Sequence, residues 1–137
     1  MAEAIYTAEA TSSGGGRNGH VRSSDGLIDA DVKLPPALGG PGGATNPEQL
    51  FAAAYATCFH SAMRLVGRNT GVKVPDAATI EASISLAPDF GISAVLTAHL
   101  PGLDQAEADA LLEGAHQVCP YSKATRGHVD VVLKATV

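Results

Sequence analysis

Strands, a long helix, two more strands, a second helix and a last strand follow one another in this sequence, an order that predicts the α+β class. Three observations carry that expectation. Apolar and polar residues alternate over Leu27–Leu34, Thr79–Leu86 and Ile92–Leu100, the period of a half-buried strand. A stretch of small and apolar residues, Leu50 to Ala62, lies between a helix start at Asn46 and a stop at Gly71. A shorter stripe with helical spacing follows Asp104. With 137 residues the chain is expected to form one domain, residues 1–137, with a core of its own.

In chain order, Ile5–Ala10 reads as a first strand and Thr11–Gly19 as a Ser/Gly-rich loop that carries a single Arg17. Val21–Ser24 is the next strand, and Asp25-Gly26 signals a tight hairpin into Leu27–Leu34, with Ile28, Ala30, Val32 and Leu34 facing in. These strands suggest antiparallel sheet. Pro35-Pro36 ends the run, and glycines lead on to the long helix. There Asn46 suits the N-cap, Pro47 the first helical position and Gln49 a capping box. Gly71 suits a left-handed stop, with Arg64 and Arg68 near the negative end of the dipole. About 23 residues make roughly 35 Å of helix. With no polar face over some three turns, this helix is expected to be covered on all sides.

Beyond it, Ile80, Ala82, Ile84 and Leu86 form the inward set of one strand, and Ile92, Ala94, Leu96 and Ala98 that of its partner across a turn at Pro88–Gly91. Asp104 with Glu107 caps a helix of about 15 residues with Ala108, Leu111, Leu112, Ala115 and Val118 as its apolar stripe. Cys119-Pro120 ends that helix, because a residue before proline is pushed out of helical geometry. Ser122–Gly127 reads as a short helical stub and His128–Val137 as a last strand.

Composition removes several function classes. Net charge is −5, with no basic patch to meet a phosphate backbone, so no nucleic-acid partner is expected. No apolar run is long enough to span a bilayer, and no signal peptide is recognisable, so the expected location is cytoplasmic. Two cysteines in a reducing compartment are reactive or simply packed rather than a structural bridge. They lie on different elements without a C-x-x-C pair, and the five histidines add no ligand pair, so no metal is expected.

Cys58 sits in the middle of the apolar helix. As a packed thiol it would be inert, since burial raises its pKa; a functional Cys58 needs a cation brought from elsewhere. Arg17, alone among glycines, is either a solvated hairpin tip or the guanidinium delivered to a thiolate. Arg22 and Arg126, at strand edges, are weaker candidates. Glu48 either serves the helix dipole or holds an arginine by a bidentate pair. Ten residues of helix separate Glu48 from Cys58 by about 15 Å, so an arginine serving both requires a bend after Glu48 or residues from two chains. Cys119 lies at the start of a helical stub, where a thiolate is favoured, or is a packed thiol.

The stretches TNPEQLFAAAYATCFHSAM and CPYSKATRG, with GGGRNGHVRSSDG ahead of them, resemble the organic hydroperoxide resistance branch of the OsmC/Ohr family over nearly the whole chain. The resemblance implies antiparallel sheets wrapped around a long central cysteine-bearing helix, in an intertwined homodimer. It implies a thiol peroxidase acting on alkyl or fatty-acid hydroperoxides, in which Cys58 is the peroxidatic and Cys119 the resolving cysteine. Arg17 would activate Cys58 and Glu48 would orient Arg17. No cofactor is implied as bound; the reductant would be an external dithiol, a lipoyl group on a partner protein. His60, about 200° around the helix from Cys58, is expected to be structural. Three other readings stand beside this one: an OsmC-type peroxidase of the sister branch, a non-enzymatic acyl-binding dimer with packed thiols, and a redox sensor.

Overall fold

Ser and Gly dominate the first hairpin, which pairs through residues that composition alone assigns to a loop. The computed structural model describes residues 2–137, and the chain divides after Leu50 into two compact units. In the first unit β1 (Ala10–Gly15), β2 (Asn18–Ser23) and β3 (Asp29–Val32) form an antiparallel sheet in that order. The expected strand Ile5–Ala10 is corrected: β1 begins where that strand was to end, and Ile5 and Tyr6 are exposed. The hairpin is possible because its backbone is nearly bare. Gly14 pairs with Gly19 and Gly15 with Asn18, and a Cβ on Gly19 would run into the carbonyl of Ser13. Gly16, at φ 70°, supplies the left-handed position of the two-residue turn, and this puts Arg17 at the tip. β3 is four residues long, with Val32 buried and Ile28 left exposed outside it.

α1 (Pro47–Thr70) starts and stops where the capping signals place it. The Gln49 amide donates to the Asn46 side-chain oxygen at 2.9 Å, and Gly71 takes the left-handed stop at φ 76°. The capping box does not close, because the Gln49 side chain accepts from the Thr45 hydroxyl instead.

In the second unit β4 (Thr79–Leu86) and β5 (Ile92–His99) are antiparallel, as the alternation predicts. α2 (Gln105–Val118) and α3 (Pro120–Thr125) then lead to β6 (Asp130–Thr136), which pairs with β5 in parallel. This sheet is therefore mixed rather than antiparallel throughout. The reason is the helical crossover from β5 to β6, which returns the chain to the same end of the sheet before the new strand begins. Ala94, Leu96 and Ala98 of β5 meet Ala108, Leu111, Leu112 and Ala115 of α2 and Tyr55, Phe59 and Met63 of α1 in one core. Val118 leaves the predicted stripe and is exposed. Among the described residues α1 is not covered on all sides: Ala53, Thr57, Ser61 and Leu65, four residues apart, form an exposed line along it.

Candidate active site

The second unit brings the two cysteines together. Cys58 is half-buried on α1, and Cys119 is fully buried at the joint between α2 and α3. Pro120 holds Cys119 in extended geometry (φ −61°, ψ 125°), which ends α2 and turns the thiol toward α1. The Cys119 thiol donates to the Cys58 sulfur across 3.6 Å. Both are free thiols, and a disulfide of about 2.0 Å lies one small movement away. Loss of solvent pushes the Cys58 thiol above its ordinary pKa; the Tyr121 backbone pulls the other way, and negative charge on Cys119, when that sulfur is the thiolate, adds to the rise. A groove of about 470 Å³ opens on Cys58, walled by Ala62, Leu65, Val118 and Pro120, with Arg68 also on its lining. Val118 thus lines this groove rather than the core.

In the first unit Arg17 and Glu48 form a bidentate pair, Nη1 to Oε2 at 2.9 Å and Nη2 to Oε1 at 2.8 Å. The guanidinium holds the Glu48 carboxyl below its usual range, and the carboxylate raises Arg17 in turn. Arg17 is therefore a braced cation rather than a loose hairpin tip. α1 is unbroken from Pro47 to Thr70, so the bend that would let one arginine serve both Glu48 and Cys58 is absent. Arg22 lies 3.8 Å from Asp29, and Arg126 donates to the His116 carbonyl at 2.7 Å; both are spoken for elsewhere. His60 accepts from Arg64 at 3.0 Å, in keeping with its structural reading.

Four residues around the thiols escaped the sequence reading: Tyr55, His116, Ser122 and Thr125. The Tyr55 hydroxyl meets Ser122 at 2.9 Å and Thr125 at 3.1 Å, and His116 Nδ1 meets the Ser122 hydroxyl at 2.8 Å. The available signal was Tyr55 itself, a side chain with a polar tip placed one turn before Cys58 in an alanine-rich stretch. Among the described residues no three His, Cys, Asp or Glu side chains gather as metal ligands do.

Residues 40–134 match the family model described as OsmC-like protein. The chain is 49% identical over 133 residues to a protein of Xanthomonas axonopodis pv. citri named organic hydroperoxide resistance protein, covering 94% of this chain and 93% of that one. It is 43% identical over 136 residues to organic hydroperoxide resistance protein OhrB of Bacillus subtilis, covering 96% and 98%. The crystal structure of an organic hydroperoxide resistance protein from Legionella pneumophila superposes with a TM-score of 0.91 at 48% identity, over 98% of this chain and all of that one.

Proposed function

Since the chain belongs to the OsmC-like protein family, in its organic hydroperoxide resistance branch, we propose that it is a cysteine-based peroxidase that reduces organic hydroperoxides to alcohols. The observation that carries this reading is the thiol pair at 3.6 Å, opening on a largely apolar groove that suits an alkyl or fatty-acid chain better than hydrogen peroxide. Cys58 as thiolate attacks the distal peroxide oxygen; the O–O bond breaks, and the alkoxide leaves as alcohol with one proton. Cys58 is now a sulfenic acid. The Cys119 thiolate attacks its sulfur, the S–O bond breaks, and the hydroxide that leaves takes up one proton from solvent to become water as the disulfide forms. An external dithiol, a lipoyl group on a partner protein, restores both thiols by exchange. No bound cofactor takes part.

Cys58 requires a cation, because burial alone disfavours its thiolate. Arg17, oriented by Glu48, is that cation in our reading, and the homodimer is the means of bringing it. Two observations support this: the unbroken helix between Glu48 and Cys58, and the uncovered line Ala53–Thr57–Ser61–Leu65. We read the whole chain as one working domain, acting in the cytoplasm without a nucleic-acid partner. No helix among the described residues is long and apolar enough to cross a membrane.

The test is consumption of cumene hydroperoxide with dihydrolipoamide, beside hydrogen peroxide, by wild type, Cys58→Ser and Cys119→Ser. Turnover favouring the organic peroxide, abolished in Cys58→Ser, with a single turnover left in Cys119→Ser, is the expected result. A wild type as inactive as Cys58→Ser would return the thiols to core packing and leave the acyl-binding dimer as the better reading.

A further inference from the structure

The joint that carries Cys119 has little of its own to hold it. Pro120 interrupts the helical ladder, and α3 is six residues long, too short to be stable by itself. The core around it is built of Leu, Ala, Phe and Met, whose contacts are non-directional. Into this core the chain places polar side chains: Tyr55 and Ser122 are fully buried and Thr125 is 5% exposed. Buried hydroxyls cost stability unless paired, and here all are paired.

Counting protons gives the chain of bonds a direction. Thr125 donates its only hydroxyl proton to the Ser122 carbonyl at 3.2 Å, so it accepts from Tyr55. Tyr55, having donated, accepts from the Ser122 hydroxyl, and Ser122 accepts from Nδ1–H of His116. Burial, with the Arg126 charge nearby, holds His116 below its ordinary pKa, and this bond selects its Nδ1–H tautomer. The ends of the run, His116 and Ser122–Thr125, bracket Cys119 and Tyr121. Tyr55 stands three positions before Cys58, on the same side of α1.

We propose that Tyr55, Ser122 and His116 are positioning residues for the thiol pair: their buried hydrogen-bond chain fixes the α2–α3 joint, and with it Cys119, against Cys58. The inference rests on the peroxidase reading for its purpose, but its geometry stands apart from any peroxide. Reactions between placed groups are sensitive to displacements of an ångström, so loosening this chain slows disulfide closure even when the core stays folded.

The experiment uses the whole protein and no peroxide. Disulfide closure is driven by diamide, an azo oxidant that takes two electrons and two protons from the thiols to become its hydrazine. Alkylation of Cys58 by iodoacetamide is followed against pH in a Cys119→Ser background. Tyr55→Phe and Ser122→Ala are expected to slow closure about tenfold, a change in barrier of about 1.4 kcal/mol. Both are also expected to move the Cys58 alkylation profile to higher pH, as the joint shifts and the Tyr121 backbone, which favours the Cys58 thiolate, moves with it. His116→Ala does the same, and His116→Asn, which keeps an N–H donor near Nδ1, restores most of the rate. Folded variants that close and alkylate like wild type overturn the proposal. Should Tyr55→Phe fail to fold, the part-buried His116 pair decides on the same two readouts. A wild type that closes with diamide yet consumes no organic peroxide sinks the peroxidase reading alone.

Discussion

Cys58 and Arg17 present one problem from two sides, a thiol that burial disfavours as an anion and a cation already braced by a carboxylate. If Arg17 lends its charge to the transition state, Arg17→Ala lowers kcat/KM for cumene hydroperoxide on the order of 10²-fold, the scale of losing one preorganised electrostatic donor. Glu48→Gln falls in the same direction, and the double variant loses little more, because the two act as a unit. Arg17→Lys recovers only part, since an ammonium cannot reproduce the fork. Equal rates for wild type and Arg17→Ala would remove Arg17 from the mechanism. A second residue-scale prediction concerns His20, raised in pKa by its bonds to Asp31 and Asp29 across β2 and β3. A raised folded-state value stabilises fully below the unfolded pKa of about 6.5 and is lost as pH rises through the folded value. The gap in thermal midpoint between wild type and His20→Gln is therefore largest below about pH 6.5 and narrows as the pH rises above it. A gap that does not change with pH would count against the charged clamp.

Among the elements, α1 and the first hairpin show opposite degrees of legibility. α1 carries its own limits, because a cap, an N1 proline and a terminal glycine act on neighbouring backbone groups. β1 carries none: Gly and Ser have poor strand propensity, and only the ladder to β2 makes them a strand. Close packing is another property of elements in contact. A Cβ on Gly67 of α1 would come within 2.8 Å of the Val72 carbonyl oxygen and of Val74 Cγ2. Alanine there gains about 1 kcal/mol of helix propensity but meets backbone that cannot rotate away, so a net loss of about 1–2 kcal/mol is expected in urea unfolding. At Gly114 the atom met at 2.8 Å is Val66 Cγ1, a side chain that can turn, and Gly114→Ala is expected to cost less. A reversed order of the two would show that the helix contact is looser than described.

For the molecule as a whole, the uncovered side of α1 is the leading fact. A line of small or apolar side chains, Ala53, Thr57, Ser61 and Leu65, stands exposed along α1, and a second copy packed there would cover it. Sedimentation of the wild type is expected to give twice the chain mass. Leu65→Glu is expected to shift it toward monomer and to lower peroxide turnover with it. A dimeric Leu65→Glu would place the interface elsewhere, and a monomeric wild type with full turnover would end the two-chain reading of the site.

What this chain's sequence determined by itself is whatever depends on near neighbours. That covers the bounds of α1, the alternation of β4 and β5, the capped start of α2, the break at Cys119-Pro120, and the chemical identity of Cys58, Cys119, Arg17 and Glu48 as candidates. The tertiary structure decided the rest: that glycines pair as β1, that β6 joins β5 in parallel, that the sulfurs lie 3.6 Å apart, and that Tyr55 reaches Ser122. Periodicity and capping are written in adjacent residues, whereas register, strand direction and the partner of a buried hydroxyl depend on residues brought together from distant parts of the chain.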